Sequence, residues 1–469
     1  MLNINDIKLH VEHSEDRTTR AYLKNHNVMS EVVFEKGLSN WLDERIAAEY
    51  PKSKERVSER KTPTNYVSTY VNKVSNTHAV EPSYYLQNKA NTKSLNEKLK
   101  ACEWHNKMIN GQNVLNAHCC IYAEPYTSDE IQGPSIRIFR GNEFEAYSKV
   151  GSKEPNVPDV IIKYLGVSSD AKGTYALRES VDKDSIASYK VRAGNLDVDS
   201  VQIRKNPMGE LPGQYAQTSL FGLKGDPDVE LLLLTKVYNT NIADLNFTFK
   251  YMNHPARIAK NMQLPEGQEL DFNVDTIIEA KTRRSDNGKE PTIETIFTEV
   301  DYESGFDFNQ KNVIAFFLAR GAQLKIQQPS ERPMSTGAMD MDMFDLTAIW
   351  EKQKTLFGGF ENKLLRKFIR YNNLFKATFK DKSELVEDGN LRIEYADSRD
   401  FTAKSTRLDN AKKEFDLGIT TKEKMIRDVN PEYTDEQVEV LSKASKKEEG
   451  SVSDEEVIDE TVENTDGDA

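Results

Sequence analysis

The chain has 469 residues, with 63 Lys and Arg, 76 Asp and Glu, a formal net charge of −13 and three cysteines. At roughly 100–200 residues per domain, this length predicts several domains or one elongated subunit. Three cysteines cannot build a disulfide framework in so long a chain, which favours assembly in a reducing, intracellular compartment. No stretch approaches the roughly 18–20 apolar residues of a membrane span, and the start, MLNINDIKLHVEHSEDR, lacks an apolar signal core. Membrane-spanning and secreted disulfide-rich classes are therefore not expected.

The acidity of the chain is concentrated at its end. Residues 448–469 contain ten acids and no base, so residues 1–447 carry a net charge of only −3. A segment so acidic and so poor in apolar residues cannot bury enough surface to fold. We predict a disordered acidic tail over 448–469 and a nearly neutral body.

The first third of the body is predicted to be helical. Residues 1–60 are polar and form an N-terminal arm with one amphipathic helix over Val32–Ala48. A charged segment with breaker residues then leads into a helix that begins near Thr64. Another helix is predicted from about Ser94 to Met108.

The pattern changes to short strands between Val114 and Leu231. Strand-like runs separated by turn residues include NAHCCIYAEP, SIRIFRG, VIIKYLGV, GTYALRE and SYKVRAG. The segment NPMGELPGQYAQ, with two prolines and two glycines, ends this region as a turn followed by a strand. We therefore expect a β-rich domain here.

A helix–insertion–helix arrangement follows. Asp226-Pro-Asp predicts the start of a helix that ends near Pro255, because acids stabilise helix N-termini. Residues 261–300 are predicted to be a small β insertion whose Asp286-Asn287-Gly288 sequence is typical of a hairpin turn. A second helix is expected over about Phe308–Leu324.

The remainder is predicted to be mostly helical. A loop with two prolines leads into a long helix from about Met341 to Phe379, which Gly358-Gly359 is expected to kink. The strand LRIEYA comes next. Three helices are then predicted, at about 403–416, 420–428 and 434–447.

Cysteine and histidine cluster at one place in the sequence. Cys102 and His105 have metal-ligand spacing, and His118, Cys119 and Cys120 follow. The competing interpretation is two buried apolar cysteines in a strand, since free cysteine is among the most buried residue types. We favour burial and expect no metal. The common nucleotide-binding, hydrolase and metalloprotease motifs do not occur, so we expect no cofactor and no catalytic residues.

Basic residues form three groups. Lys363, Arg366, Lys367 and Arg370 share one face of the long helix, which indicates either a solvated face at a subunit contact or a stripe that meets phosphate. A second group surrounds the predicted hairpin turn and indicates either plain solvation or a docking surface for an acidic partner: Lys281, Arg283, Arg284 and Lys289. Lys325 and Arg332 flank Pro329 in the loop before the long helix.

Four strings occur in order along the chain: NPMGELPGQY at Asn206–Tyr215, VYNTNIADLNFTF at Val237–Phe249, MSTGAMDMDMFDL at Met334–Leu346 and AKKEFDLGITTKEKMIRDVNPEYTDEQVEV at Ala411–Val440. Taken in this order, they resemble the portal proteins of tailed bacteriophages. The resemblance covers Lys205–Lys447 and rests on the arrangement of elements.

The resemblance implies an α+β subunit with the family's named parts. It has a β-rich wing, a helical stem, a small β clip, a long kinked helix and a helical crown. In this sequence the parts are an arm at 1–60, wing at 61–227, stem helix at 228–260, clip at 261–300, second stem helix at 301–325, tunnel loop at 326–340, long helix at 341–380, returning wing strand at 381–400, crown at 401–447 and tail at 448–469.

The resemblance also implies a function and partners. Portal subunits form a closed ring, usually of about twelve copies, at one capsid vertex. Double-stranded DNA passes through the ring, driven by the terminase large subunit. Major capsid and scaffold proteins and a head-completion adaptor are further partners, and the virion is the expected location after assembly in the host cytoplasm.

Two sets of residues acquire expected roles in this way. The implied DNA-channel residues in the tunnel loop are Lys325, Gln327, Gln328, Arg332 and Met334. The implied terminase- or adaptor-facing residues in the clip are Lys281, Arg283, Arg284 and Lys289. A nearly neutral body suits a channel that lets DNA slide, because every phosphate contact adds affinity.

Two other classes remain open from the sequence. One is another virion head component, such as a head–tail connector or a minor capsid protein, which has no reason to contain the helix–insertion–helix–loop–long helix order of 228–379. The other is a metal-dependent nucleic-acid enzyme, which would need zinc in the Cys/His cluster.

Overall fold

The structure is a computed structural model with two compact units. One comprises Met1–His78 and Tyr84–Ile393, and the other Ala79–Ser83 and Glu394–Ala469. The residues it describes are 2–14, 17–49, 51, 54–58, 61–86, 88–148, 154, 156–171, 173–193, 197–218, 223, 225–253, 256–260, 262–263, 281–282, 292–296, 301–322, 336–386, 391–395, 404–429, 438–439 and 441–442.

Helices and strands are mixed along the described chain, as the predicted α+β class requires. The helices are α1 (Ile4–Ser14), α2 (Arg17–Phe34), α3 (Gly37–Glu49), α4 (Lys54–Ser58), α5 (Tyr66–Val74), α6 (Lys89–Ala101), α7 (Trp104–His118), α8 (Val229–Asn253), α9 (Tyr302–Ala319), α10 (Thr336–Phe375), α11 (Lys404–Asp416) and α12 (Lys422–Val429). The strands are β1 (Ser83–Tyr85), β2 (Cys120–Ser128), β3 (Gly133–Phe139), β4 (Phe144–Tyr147), β5 (Val160–Asp170), β6 (Gly173–Val181), β7 (Ser185–Arg192), β8 (Val198–Lys205), β9 (Gln214–Gln217), β10 (Ala256–Lys260), β11 (Met262–Gln263), β12 (Lys281–Thr282), β13 (Thr292–Ile296) and β14 (Arg392–Glu394).

Two antiparallel sheets form the β-rich region. The larger has the strand order β4-β5-β6-β7-β8, and the smaller has the order β3-β2-β9. A buried ion-pair group joins them: the Lys163 ammonium of β5 lies 2.7 Å from Glu124 of β2 and 2.6 Å from Glu179 of β6. A buried charge is tolerated only when it is paired in this way. The strands predicted around VIIKYLGV, GTYALRE and SYKVRAG are confirmed.

The main core lies between the small sheet and two helices. Trp104 and Met108 of α7 and Leu364 and Phe368 of α10 are buried together with Ile121 of β2. Trp104 meets Phe368 edge-on, with ring centroids 5.3 Å apart. The apolar face of α10 is therefore what fixes this long helix to the sheet.

The segment interpreted as an N-terminal arm is packed against other elements. Leu2, Ile7 and Val11 of the α1 region are buried against Ala187 and Tyr189 of β7. Helices α2, α3 and α5 share a second core with α8 and α9. Residues 2–49 thus contribute buried residues to three hydrophobic clusters.

Three predicted boundaries are wrong. The helix predicted over Val32–Ala48 is broken after Phe34, where Gly37 approaches Glu31 so closely that an added Cβ would lie 2.6 Å from the Glu31 Cβ. The helix predicted over Ser94–Met108 is two helices, because Glu103 adopts a left-handed conformation with φ of 55°. Residues 114–118, predicted to begin the strands, are the end of α7, and the next residue, Cys119, has a left-handed conformation with φ of 57°.

Two further predictions concern the long helix. It begins at Thr336, so residues 336–340 of the predicted tunnel loop are helical. It runs through Gly358 and Gly359 without interruption, and a Cβ added at Gly359 would meet nothing within 4 Å.

The strand predicted at LRIEYA is confirmed as β14, which pairs with β1.

The second unit contains two short helices in the predicted places. Helix α11 is followed by a turn at Gly418, where φ is 70°. The Gly418 N–H donates to the Phe415 carbonyl oxygen, and the Ile419 N–H donates to that of Glu414. Such a turn satisfies the last carbonyls of the helix. Leu417 and Ile419 at this turn are exposed. The third helix predicted in this region, 434–447, and the tail, 448–469, lie almost wholly outside the described residues.

No helix in the described part of the chain is long and apolar enough to cross a membrane.

Candidate functional site

The two sets of predicted site residues lie almost entirely outside the described residues. Lys325, Gln327, Gln328, Arg332 and Met334 fall in residues 323–335, between α9 and α10. In the predicted clip, Lys281 begins strand β12, of which the backbone is described; the others, Arg283, Arg284 and Lys289, fall outside. The elements that flank both segments are described, and they form the candidate site.

Helices α8 and α9 form an antiparallel hairpin, which we call the α8–α9 hairpin. At its base, the Asp228 carboxylate caps α8 by accepting from the Leu231 N–H at 2.9 Å. The Arg320 guanidinium, just after α9, donates to both oxygens of Asp228 at 2.9 and 3.1 Å and to Glu230 at 3.0 Å. A bidentate pair of this kind fixes orientation as well as position.

Farther along the hairpin, polar and small residues set the helix spacing. The Asn241 side chain donates to Asn309 Oδ1 at 2.8 Å. At Gly305 an added Cβ would lie 3.0 Å from a methyl group of Leu245, so the two helices approach closely there. As the residue number rises along α8, from 228 to 241 to 245, that of the contacting residue on the α9 side falls, from 320 to 309 to 305. The two helices are therefore antiparallel.

The base of the hairpin is embedded in the N-terminal helices. Asn239 exchanges two hydrogen bonds with the backbone of Thr64, at 2.7 and 2.9 Å. Tyr66 meets Tyr238 and Phe317 edge-on, with ring centroids 4.8 and 6.0 Å away. A 25-residue helix is about 37 Å long. The base of the hairpin is therefore firmly fixed, and the C-terminal end of α8 lies far from the start of the helix.

A β extension connects the far ends of the two helices. Strand β10 pairs antiparallel with β13, from Ala256 opposite Ile296 to Lys260 opposite Thr292. Strand β11 pairs with β12 in the same sense. Strands therefore occur within the predicted insertion, 261–300, but the first strand, β10, lies before it, in residues assigned to the stem. Strand β13 pairs with β10 and not, in the described residues, with the segment just before the predicted turn. That turn, 286–288, lies outside the described residues.

Apolar side chains are exposed on the outer sides of both helices. Val229, Leu233 and Val237 follow each other at i, i+4 and i+8 on α8, and Leu233 is 60% exposed. We call these three residues the α8 stripe. On α9, Phe308 and Leu318 are also exposed, Phe308 by 65%. Residues four apart lie on one helix face, so the stripe is a continuous apolar surface.

The basic face predicted on the long helix is largely used within the chain. The Lys367 ammonium donates to the carbonyl oxygens of Leu211, at 2.9 Å, and Gly213. Arg370 pairs with Glu210 at 2.8 Å. Burial lowers the pKa of Lys367 to about 8, partly opposed by Glu210. Lys367 and Arg370 therefore hold the 210–213 turn, while Lys363 of the same face is exposed.

The cysteines and histidines that cluster in the sequence separate in the structure. Cys102 is buried and donates to the Leu99 carbonyl, while Cys120 lies 3.7 Å from the Tyr22 hydroxyl. His118 bonds His26, and the His105 ring lies near His78. Among the described residues no group of three or more His, Cys, Asp or Glu is placed to hold a metal ion.

Sequence reasoning missed the fully buried carboxylate of Glu361 on α10. Three donors reach it: His78 Nε2 at 3.0 Å, Tyr84 OH at 2.8 Å and Trp104 Nε1 at 2.8 Å. The signal was available, because Glu361 directly follows Phe360 in the apolar pattern Phe357, Phe360, Leu364, Leu365 and Phe368. An acid inside an apolar stripe indicates buried partners.

No protein-family model matches the sequence, and no curated protein matches it.

Proposed function

We propose that this chain is a portal-type subunit that forms a closed ring through which double-stranded phage DNA is packaged and later ejected. The observation that supports this most is the order of described elements: the α8–α9 hairpin with its β extension, then the 40-residue helix α10, then a strand that returns to β1. This order matches the stem, clip, long helix and returning wing strand that the resemblance implies.

The proposed role is mechanical and carries no catalysis, metal or cofactor. The terminase large subunit and an adaptor would dock on the β extension, around Lys281, Arg283, Arg284 and Lys289. DNA would meet the segment between α9 and α10, at Lys325, Gln327, Gln328, Arg332 and Met334. Major capsid and scaffold proteins would hold the ring at one capsid vertex of the virion.

The surface of the hairpin provides a physical reason for self-association. The α8 stripe and the exposed Phe308 and Leu318 of α9 present two unlike apolar faces on one element. Two unlike faces on one molecule make head-to-tail contacts, which close into rings when the rotation allows. Burying one valine or leucine side chain contributes roughly 1.5–3 kcal/mol.

A matched pair of substitutions tests this role of the hairpin. Val237→Glu places a charge in the α8 stripe, while Val157→Glu changes an equally exposed valine in a loop before β5; the two side chains are 47% and 52% exposed. We expect Val237→Glu to abolish the ring in native mass spectrometry at concentrations where Val157→Glu and the wild type retain it. Circular dichroism melts of both variants show whether the subunit itself still folds.

If both variants formed rings equally well, the α8 stripe would not be part of the contact between subunits.

The second candidate function is another virion head component that acts as an interaction module. The hairpin, β extension and 40-residue helix argue against it, since a simple connector has no need of that combination.

A further inference from the structure

A buried histidine pair lies where four segments of the first unit meet. His26 of α2 and His118, the last residue of α7, are both fully buried, and their Nδ1 atoms lie 2.9 Å apart. His26 Nε2 lies 3.1 Å from the carbonyl oxygen of Gly225, which precedes α8. Gly141, between β3 and β4, completes the enclosure. The pair therefore connects the N-terminal helices to the approach to the α8–α9 hairpin.

The hydrogen bonds determine where the protons are. A carbonyl oxygen only accepts, so His26 Nε2 must carry a hydrogen and donate it to Gly225. In a neutral ring His26 Nδ1 is then bare, and His118 Nδ1 must donate to it. This leaves His118 Nε2 bare, and that buried atom has no hydrogen-bond partner among the described residues. The arrangement is complete with both rings neutral.

One added proton has no good place in this arrangement. On His118 Nε2 it creates a buried N–H without an acceptor. On His26 Nδ1 it forces the His118 proton to move to Nε2, with the same result. Either route leaves a buried cation that no hydrogen bond at Nε2 stabilises.

The surroundings do not compensate for such a charge. Burial is the main cause that lowers the pKa of His118, and His26 and Arg140 lower it further. The Phe34 ring stacks on His118, with Arg140 4.7 Å beyond it. Of the titratable groups on the elements packed around the pair, Tyr22 of α2 meets the His26 ring edge-on, with centroids 4.2 Å apart. The Tyr22 hydroxyl lies 3.7 Å from Cys120, and Tyr215 of β9 and Glu145 of β4 act on that hydroxyl. Cys119 directly follows His118 and is influenced by Asp226 and Asp228 before α8, and Glu35 pairs with Arg140 at 3.5 Å.

Small movements of the rings cannot relieve the charge. A Cβ added at Gly141 would lie 2.3 Å from His26 Nδ1, and one at Gly225 would lie 2.6 Å from the Cys119 carbonyl carbon. Backbone thus contacts the rings and their surroundings directly, with no room for a side chain between. A protonated ring reaches water only if these segments separate.

We propose that His26, His118 and the Gly225 carbonyl form a proton-controlled latch, closed while both rings are neutral and opened by acid, which fastens α2 and the end of α7 to the segment that enters α8. The latch goes beyond the proposed function and does not depend on ring formation. Opening it frees the approach to the hairpin and leaves the core around α10 in place.

The pH window follows from the direction of the shifts. Burial lowers the pKa of His26 from its ordinary 6.5 to about 4, against a smaller opposing effect of the Gly225 hydrogen bond. Because the closed state has the lower pKa, the open state binds more protons between pH 6.5 and 4. Closure is complete above this window and weakens as the pH falls through it. Between pH 7.5 and 5.0 the open fraction rises on the order of 30-fold for one histidine.

Hydrogen–deuterium exchange of the full-length protein at pH 7.5 and 5.0, corrected for the chemical effect of pH on exchange, tests the latch. We expect protection in peptides from residues 22–30 and 225–232 to fall on the order of 30-fold at pH 5.0. Peptides from residues 360–369 of the α10 core should keep their protection. His26→Gln and His118→Gln, which remove a titrating ring, should weaken this pH response, and His13→Gln, which changes an exposed histidine on α1, should retain it.

Three results would overturn the latch. One is protection at 22–30 and 225–232 that is the same at both pH values. Another is an equal loss in the α10 core, which would indicate acid unfolding of the whole unit. The third is an undiminished response in whichever of His26→Gln and His118→Gln gives a cooperative thermal melt. Ring formation is read separately by native mass, so failure of the latch and failure of the proposed function are distinguishable.

Discussion

At the scale of single residues, buried polar groups hold the body together. Glu361 accepts from His78, Tyr84 and Trp104, and so ties the middle of α10 to α7 and to β1. Lys163 does the same between the two sheets through Glu124 and Glu179. Such groups contribute orientation more than stability, but removing one partner is costly because the others stay buried.

Glu361→Leu should therefore be strongly destabilising. It removes the buried carboxylate to which three buried donors bond, and we expect the free energy of unfolding to fall by about 3–5 kcal/mol in urea titrations. Glu361→Gln keeps one acceptor oxygen and should cost less. The exposed Glu351 on the same helix is the matched control, where Glu351→Leu should change stability by less than about 1 kcal/mol. Equal stability of Glu361→Leu and wild type would contradict the assigned hydrogen bonds.

At the scale of elements, patterning and capping predicted much of the fold. The acid-rich start at Asp226-Pro-Asp was a correct signal for α8, and strand alternation located β5, β6 and β7. The helix breaks at Glu103 and Cys119 could not be predicted. Both residues have a left-handed backbone conformation although neither is glycine. Tertiary packing, not local preference, therefore selects their conformation.

The candidate site was less predictable than the fold. The sequence indicated a helix pair around a β insertion but gave no sign of the Arg320–Asp228 pair, since partners 92 residues apart leave no local pattern. The contacts of Lys367 and Arg370 on α10 were unpredictable for the same reason. Helical spacing shows which side chains share a face, and it does not show that two of them bind the 210–213 turn.

Replacing glycine by alanine should change stability differently in two helices, α9 and α10. Alanine is favoured over glycine inside a helix by about 1 kcal/mol. Gly359→Ala on α10 meets open space and should gain about that amount. Gly305→Ala on α9 places a methyl group 3.0 Å from Leu245, so the gain should be cancelled. Urea midpoints measure both. A gain at Gly305 equal to that at Gly359 would show that α8 and α9 do not approach as closely as described.

At the scale of the whole molecule, the α8–α9 hairpin of the first unit is anchored at one end. The second core, around α2, α3 and α5, buries Leu231 and Leu232 of α8 and Val313 and Phe317 of α9. The α8 stripe lies on these same first turns of α8 and is exposed. In the proposed ring, this exposed apolar surface on a firmly held helix would form the contact between neighbouring subunits.

Negative-stain electron microscopy of the purified full-length protein, with native mass measured on the same sample, tests the central claim most directly. The proposed function predicts a uniform closed ring of about twelve copies around a central channel wide enough for duplex DNA. Particles that remain monomers or dimers over the whole accessible concentration range, and still do so when scaffold and capsid proteins are supplied, would contradict it.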